Sequence, residues 1–226
     1  MYKDKKFSKL DIVYKNHLYT GFIGYFMHYC HKKLESYKFN ENISKILEIG
    51  PGTVPHAPYI EHSYEEYHIV ETSDYAIQEL KKQGYTKIKK YDGENVPYRD
   101  EYFDRIILSH VLEHVQNPHS FLLHLIKKLR NGGILSISLP TDPGLLWRSS
   151  RLMIKILSIN KEQDLSNLEY DYINSIEHIN SIFNLRNIIK YHFHGKFHET
   201  FLPFRISLPD LNLFYNVHLK KDNAKL

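Results

Sequence analysis

The sequence predicts an α/β fold: a mostly parallel sheet, covered on both faces by helices and closed by an antiparallel hairpin. Three observations carry this. From residue 44 onward, short apolar runs alternate with helical periodicity. The first run, "KILEIG", ends in a glycine-rich turn, as the strand of a βα unit does. The last two runs flank a Pro-Asp turn too short for a parallel crossover, so they should pair antiparallel at the sheet edge.

The elements follow in order. "YKNHLYTGFIGYFMHYCHKKLESY" places Leu18, Phe22, Phe26 and Cys30 four residues apart, an amphipathic helix over residues 14–35 with a break expected near Gly21. Residues 1–40 should form a helical cap. "KILEIG", "YHIVE", "KIKKY" and "FDRIILS" read as four strands, and "SFLLHLIKKLR" as a helix that "NGG" stops before a fifth strand, "ILSISLP". "LLWRSSRLMIKILSI" is helical, "NKEQDLSNLEYDY" a polar passage, and "INSIFNLRNIIKYH" one further helix. "ETFLPFRISLPDLNLFYNVHLKK" supplies strands six and seven.

Composition narrows the function classes. The 226 residues suffice for a single domain with a sizeable core, and the net charge of +4 is too mild to indicate nucleic acid. Cys30 stands alone, which excludes an intrachain disulfide and a cysteine-rich zinc cluster and fits a reducing cytoplasm. No apolar run approaches the ~20 residues of a membrane span, and the N-terminus lacks a signal-peptide core. A soluble, cytoplasmic protein is expected, with peripheral membrane contact through the first helix left open.

The chemistry-bearing residues cluster at strand ends, where ligands of open α/β sheets bind. "ILEIGPGTVPH" puts Glu48, Gly50, Pro51 and Gly52 after the first strand. Pro55 occupies the place of the third glycine of a dinucleotide fingerprint, which argues against a dinucleotide. Glu71, followed by Thr72, closes the second strand and can accept from ribose hydroxyls. Asp92 and Gly93 follow the third and suit an exocyclic amine and a ring nitrogen. One carboxylate per strand end favours a nucleoside.

These blocks resemble a class I S-adenosylmethionine (SAM)-dependent methyltransferase, of the branch that includes ubiquinone/menaquinone-pathway and small-molecule enzymes. "LEIGPGT", "VETSDYAIQEL", "YDGENVPYRDEYFDRIILSHVLEHV" and "LRNGGILSISLP" match in order over residues 44–141. The resemblance implies a Rossmann-like, doubly wound, seven-stranded sheet, with residues 142–176 as a substrate-side insertion and 177–226 as the terminal helix and hairpin. It implies SAM as cofactor and S-adenosylhomocysteine (SAH) as product. Gly50, Pro51 and Gly52 would line the methionine and ribose, Glu71 and Thr72 the ribose, and Asp92 and Gly93 the adenine. Glu48 would orient the loop or the amino group, and Ser109 would border the cofactor. Val54 departs from the small residue usual at its position, and its β-branch would crowd the cofactor's amino-acid end.

"SHVLEHV" admits two chemistries. His110, Glu113 and His114 have the spacing of an inverted zinc-hydrolase motif, with Glu177 as a distant third ligand, but that motif needs a helix where a strand ends. Part of the ubiquinone branch holds a divalent ion at this place through a Glu-x-x-Glu-His cluster. The simpler reading has Glu113 and His114 bracing a helix start, so no metal is expected. His110, then His114, are the candidate general bases, with His178, His194 and His198 also in reach. The motifs of DNA amino-methyltransferases are missing, and Cys30 is misplaced for pyrimidine C5 chemistry. The expected partner is a small or medium acceptor (a glycan, a lipid-linked sugar or another metabolite), with Phe26, Tyr29, Trp147, Phe201 and Phe204 as aromatic lining. The competing reading is a SAM-fold protein that binds without catalysing.

Overall fold

The computed structural model describes residues 19–39, 42–156, 167–193 and 197–222. A seven-stranded sheet runs β3-β2-β1-β4-β5-β7-β6, with β1 Lys45–Ile49, β2 Glu66–Glu71, β3 Ile88–Lys90, β4 Phe103–Ser109, β5 Leu129–Pro140, β6 Phe197–Leu202 and β7 Phe214–Lys220. β1 to β5 are parallel, and β7 runs antiparallel between β5 and β6. The helices are α1 Gly21–Leu34, α2 Asp74–Lys82, α3 Pro118–Lys128, α4 Leu145–Ile156, α5 Asn167–Glu177 and α6 Ile182–Phe193. Among the described residues no helix is long and apolar enough to cross a membrane.

Local chemistry sets the boundaries. Ser73 accepts from Ala76 N–H to start α2, and Asn117 accepts from Ser120 N–H to start α3, with Pro118 at the first helical position. β1 and β4 are mostly apolar and buried on both faces, as central parallel strands are. The largest core cluster joins Leu47, Ile106, Leu125, Ile137, Leu185 and Tyr215 across the sheet.

Four sequence expectations change. The "NGG" segment belongs to β5: Leu129 already pairs with Phe103, and residues 130–133 loop out before Ile134 pairs with Arg105. A Cβ at Gly133 would stand 2.9 Å from the Arg130 carbonyl oxygen, so glycine is required for that loop-out. The polar passage becomes helical from Asn167, giving an additional helix, α5, which a break at residues 178–181 separates from the expected helix, α6. The break has a cause. Asn180 turns its side-chain amide to the carbonyls of Leu112, Glu113 and Val115, at 3.2, 3.4 and 2.6 Å, and so clamps the turn after β4. The hairpin strands are joined by a longer connection than a Pro-Asp turn, carrying a short 3-10 turn at Pro209–Leu211 and organised by Asn212. Finally, α1 begins at Gly21; residues 14–18 of the expected helix, and His194, lie outside the described residues.

Candidate active site

The loop after β1 carries two left-handed glycines, Gly50 at φ +57° and Gly52 at φ +60°. At Gly52 an added Cβ would meet no atom within 4 Å, so glycine is favoured there by backbone conformation rather than crowding, and the open space leaves room for a ligand. Glu71, buried at the end of β2, ties this loop to its own. Its carboxylate accepts from Gly52 N–H at 2.9 Å, Thr72 N–H at 2.7 Å and Ser73 N–H at 2.9 Å. The two successive βα turns are therefore one rigid unit around a single charge.

Glu48 sits deeper. It accepts from the backbone N–H of His56 at 2.9 Å and from the Tyr67 hydroxyl at 2.7 Å, bracing the far end of the glycine loop. Burial pushes its pKa up to about 8, against those two hydrogen bonds. Val54 donates its N–H to the Pro51 carbonyl, closing the turn between them. Asp92 is exposed and turns inward on its own loop, accepting from Glu94 N–H, Asn95 N–H and the Asn95 side chain at 2.9, 2.6 and 2.8 Å. Those bonds lower its pKa to about 2. Gly93 beside it has φ +95°.

β4 ends at Ser109, and the chain turns at His110 with φ +56°, a conformation uncommon outside glycine and enriched at functional sites. The His110 N–H is held by the Ser138 carbonyl at 2.9 Å. Leu112–His114 is a single 3-10 turn, and α3 starts only at Pro118. Glu113 and His114 therefore do not brace a helix start as expected: Asn117 caps that helix, and Glu113 is buried instead. Burial alone would raise the Glu113 pKa, but the neighbouring His110 and the His114 and His178 rings outweigh it and lower it. His110 Nδ1 lies 3.6 Å from Glu113 Oε1 and His114 Nε2 lies 3.8 Å from it.

His178 arrives from the α5–α6 break. Its Nδ1 donates to Asp142 at 2.8 Å, while His114 Nδ1 donates to the Glu177 carbonyl at 2.7 Å. Glu113, His114 and His178 each bring a ligand atom within 4.8 Å of the others. Glu177 meets His114 through its backbone carbonyl, a contact distinct from the distant metal ligand considered from the sequence.

Of the sequence-selected aromatics, Trp147 stands against His178 and Phe214, and Phe214 against His110, with ring centroids 6.3, 6.0 and 5.6 Å apart. Phe26 and Tyr29 pack on the same small cluster, Met27–Cys30–Leu202–Phe214. Phe201 is core, buried against Tyr215, and Phe204 is exposed, so neither joins this wall. His198 packs against Tyr37 in a separate cluster with His218. Four buried polar atoms find no partner among the described residues: Ser109 Oγ, His110 Nε2, Glu113 Oε2 and Trp147 Nε1. Three of them fall within five residues, from Ser109 at the end of β4 to Glu113, which marks a place built for polar contact.

Sequence reasoning missed the buried network behind this wall. Arg105, fully buried in β4, grips Glu35 with both terminal nitrogens, and Glu35 in turn receives His56. The signal was present: an arginine inside the apolar run "FDRIILS" requires a buried counter-ion.

Residues 47–137 match the family model described as a methyltransferase domain. Comparison of the sequence with curated proteins finds no match. Among solved structures, the plantazolicin methyltransferase BpumL in complex with SAH is 17% identical, with 97% of this chain and 91% of that one covered at a TM-score of 0.66. A SAM-dependent methyltransferase from Thermotoga maritima is 18% identical, covering 92% of this chain and 95% of the other at 0.55. The CurJ carbon methyltransferase is 19% identical over 85% of this chain and 54% of its own, at 0.56. Residues 47–137 thus match a methyltransferase-domain model, and the chain as a whole shares the fold of these solved methyltransferases.

Proposed function

We propose that the protein transfers a methyl group from SAM to an oxygen or nitrogen atom of a small or medium acceptor, such as a glycan, a lipid-linked sugar or another metabolite. The observation that carries this is the Glu71 bridge: one buried carboxylate joins the left-handed Gly52 turn to the end of β2. Oε1 accepts from both Thr72 and Ser73 N–H, whereas Oε2 accepts from Gly52 N–H alone and keeps a second lone pair for a ribose hydroxyl. The donor set fits a nucleoside: Gly50, Pro51 and Gly52 for the amino-acid end and ribose, Thr72 beside Glu71, and Asp92 with Gly93 for the base. Bound there, SAM supplies an electrophilic sulfonium methyl for in-line transfer.

The chain's own part is orientation, exclusion of water and proton handling. His110 and Ser109, with orphaned buried polar atoms at the end of β4, would meet the acceptor beside the methyl. Glu113 would hold His110 in place through Nδ1 and leave Nε2 as the base, with His114 and His178 completing the compensation of that carboxylate. Trp147 and Phe214 offer flat apolar surface to an acceptor ring. The helical cap and the insertion at 142–176 would shape this side.

Calorimetry with SAM and SAH tests the cofactor assignment. Methyl transfer to an acceptor found by screening with labelled SAM then separates an enzyme from a SAM-fold binder, for which binding would occur without turnover.

A further inference from the structure

A continuous hydrogen-bonded chain runs behind the acceptor wall. The Tyr19 hydroxyl lies 2.8 Å from His31 Nε2, His31 Nδ1 lies 2.7 Å from His56 Nδ1, and His56 Nε2 lies 2.8 Å from Glu35 Oε1. Arg105 closes it, donating to Glu35 at 2.5 and 3.0 Å and to Ser136 Oγ at 3.0 Å. His31, His56, Glu35 and Arg105 are each at most 2% exposed. Such a network is more than the fold needs, since apolar groups of the same volume would pack as well.

The polarity of every link follows from its end. Glu35 faces a guanidinium; burial alone would raise its pKa, but the His56 and Arg105 contacts hold it well below the usual range. An ionised carboxylate only accepts. His56 therefore carries its proton on Nε2 and accepts at Nδ1. Burial also keeps both imidazoles neutral. His31 must then carry its proton on Nδ1 and accept at Nε2, where the Tyr19 hydroxyl donates. Tyr19 has spent its only proton inward, and only lone pairs remain for the other side.

That other side is the acceptor wall. Tyr19 packs with Phe26, Tyr29, Trp147 and Phe214 on the Met27–Cys30 cluster. Burial first, and then the nearby Cys30, Glu48, Tyr59 and Glu113, raise the pKa of its hydroxyl, so it stays protonated. Its position depends on Gly24, where any Cβ would stand 2.3 Å from the Tyr19 carbonyl carbon.

We infer that Glu35, acting through His56 and His31, fixes Tyr19 as a hydrogen-bond acceptor toward the methyl-acceptor site, so that the substrate must present a hydroxyl or an N–H there. This rests on the methyltransferase reading and narrows it to protic acceptors. In the reaction the C–S bond breaks and the bond from methyl carbon to acceptor atom forms. The proton of that atom passes to His110 Nε2, where Glu113 stabilises the imidazolium, while Tyr19 orients the acceptor by accepting from a second hydroxyl or N–H of it.

Histidine-selective ¹⁵N NMR of the full chain with SAH tests the polarity. His31 should be the Nδ1–H tautomer and His56 the Nε2–H tautomer, and Tyr19→Phe should release the hydrogen bond at His31 Nε2 alone. The opposite tautomers, or a doubly protonated ring in either residue at pH 7, would overturn the inference. The second measurement uses phenethyl alcohol and its methyl ether as probes of the SAH-loaded protein. The alcohol should be retained over the ether by about 2- to 12-fold, the range of one neutral hydrogen bond, and Tyr19→Phe should erase the difference. Equal retention, or retention of neither, would also overturn it. SAH calorimetry on the same samples keeps the two readings apart: failure of SAH to bind removes the methyltransferase assignment, while reversed tautomers with SAH bound remove only this inference.

Discussion

Glu71→Ala is the most informative single change. Its carboxylate accepts three backbone N–H bonds, one from the glycine loop and two from its own turn, besides the Thr72 hydroxyl at 3.3 Å. Hydrogen bonds to a charged group contribute about 1.5–3 kcal/mol each. A ribose hydroxyl would address the open lone pair of Oε2 on this same carboxylate. Loss of one such contact weakens SAH binding by about 10- to 150-fold, and disorder of the Gly52 turn adds to it. Glu71→Gln separates the contributions: it keeps one acceptor oxygen and removes the charge, so its affinity should fall between those of wild type and alanine. The assay is calorimetric titration with SAH, with urea unfolding on each variant to verify that the fold persists. Equal affinity of wild type and Glu71→Ala, both folded, would refute the placement of the ribose at this carboxylate.

Other outcomes follow from the same geometry. Gly52→Asp should abolish SAH binding and leave the circular dichroism spectrum intact, because φ +60° is tolerable for Asp at modest cost and the added carboxylate occupies open space. Stability should fall as pH drops from about 6.5, because burial holds the folded-state pKa of His218 near 3 and lowers those of His31 and His56, so the unfolded chain binds the extra protons. Urea midpoints at pH 7 and pH 5 measure this, and an unchanged midpoint would contradict neutral burial. Deletion of residues 1–35, which a separable helical cap would tolerate, should prevent folding, because it strips Arg105 of its buried counter-ion at a cost of about 3–5 kcal/mol. A folded truncated chain by circular dichroism would restore the separable cap. Turnover should survive EDTA, and His110→Ala should cost roughly 10²–10⁴-fold if His110 is the base; stoichiometric metal lost together with activity in Glu113→Ala would reverse the metal-free expectation.

The sequence by itself determined the sheet and the carboxylates at its strand ends. Periodicity and glycine placement are local signals, so "KILEIG", "YHIVE" and "FDRIILS" could be read as strands, and the acids at their ends assigned, without knowing what packs on what. Helix boundaries were less legible, because the break at residues 178–181 is imposed by Asn180 reaching back about 65 residues to the turn after β4. The role of Glu113 was also invisible: a helix-start position and a buried carboxylate among imidazoles have the same sequence, and only the arrival of His178 distinguishes them. The Tyr19–His31–His56–Glu35–Arg105 chain joins α1, the glycine loop and β4. No spacing rule links residues so far apart, and their hydrogen-bond polarity exists only once burial has removed water as an alternative partner.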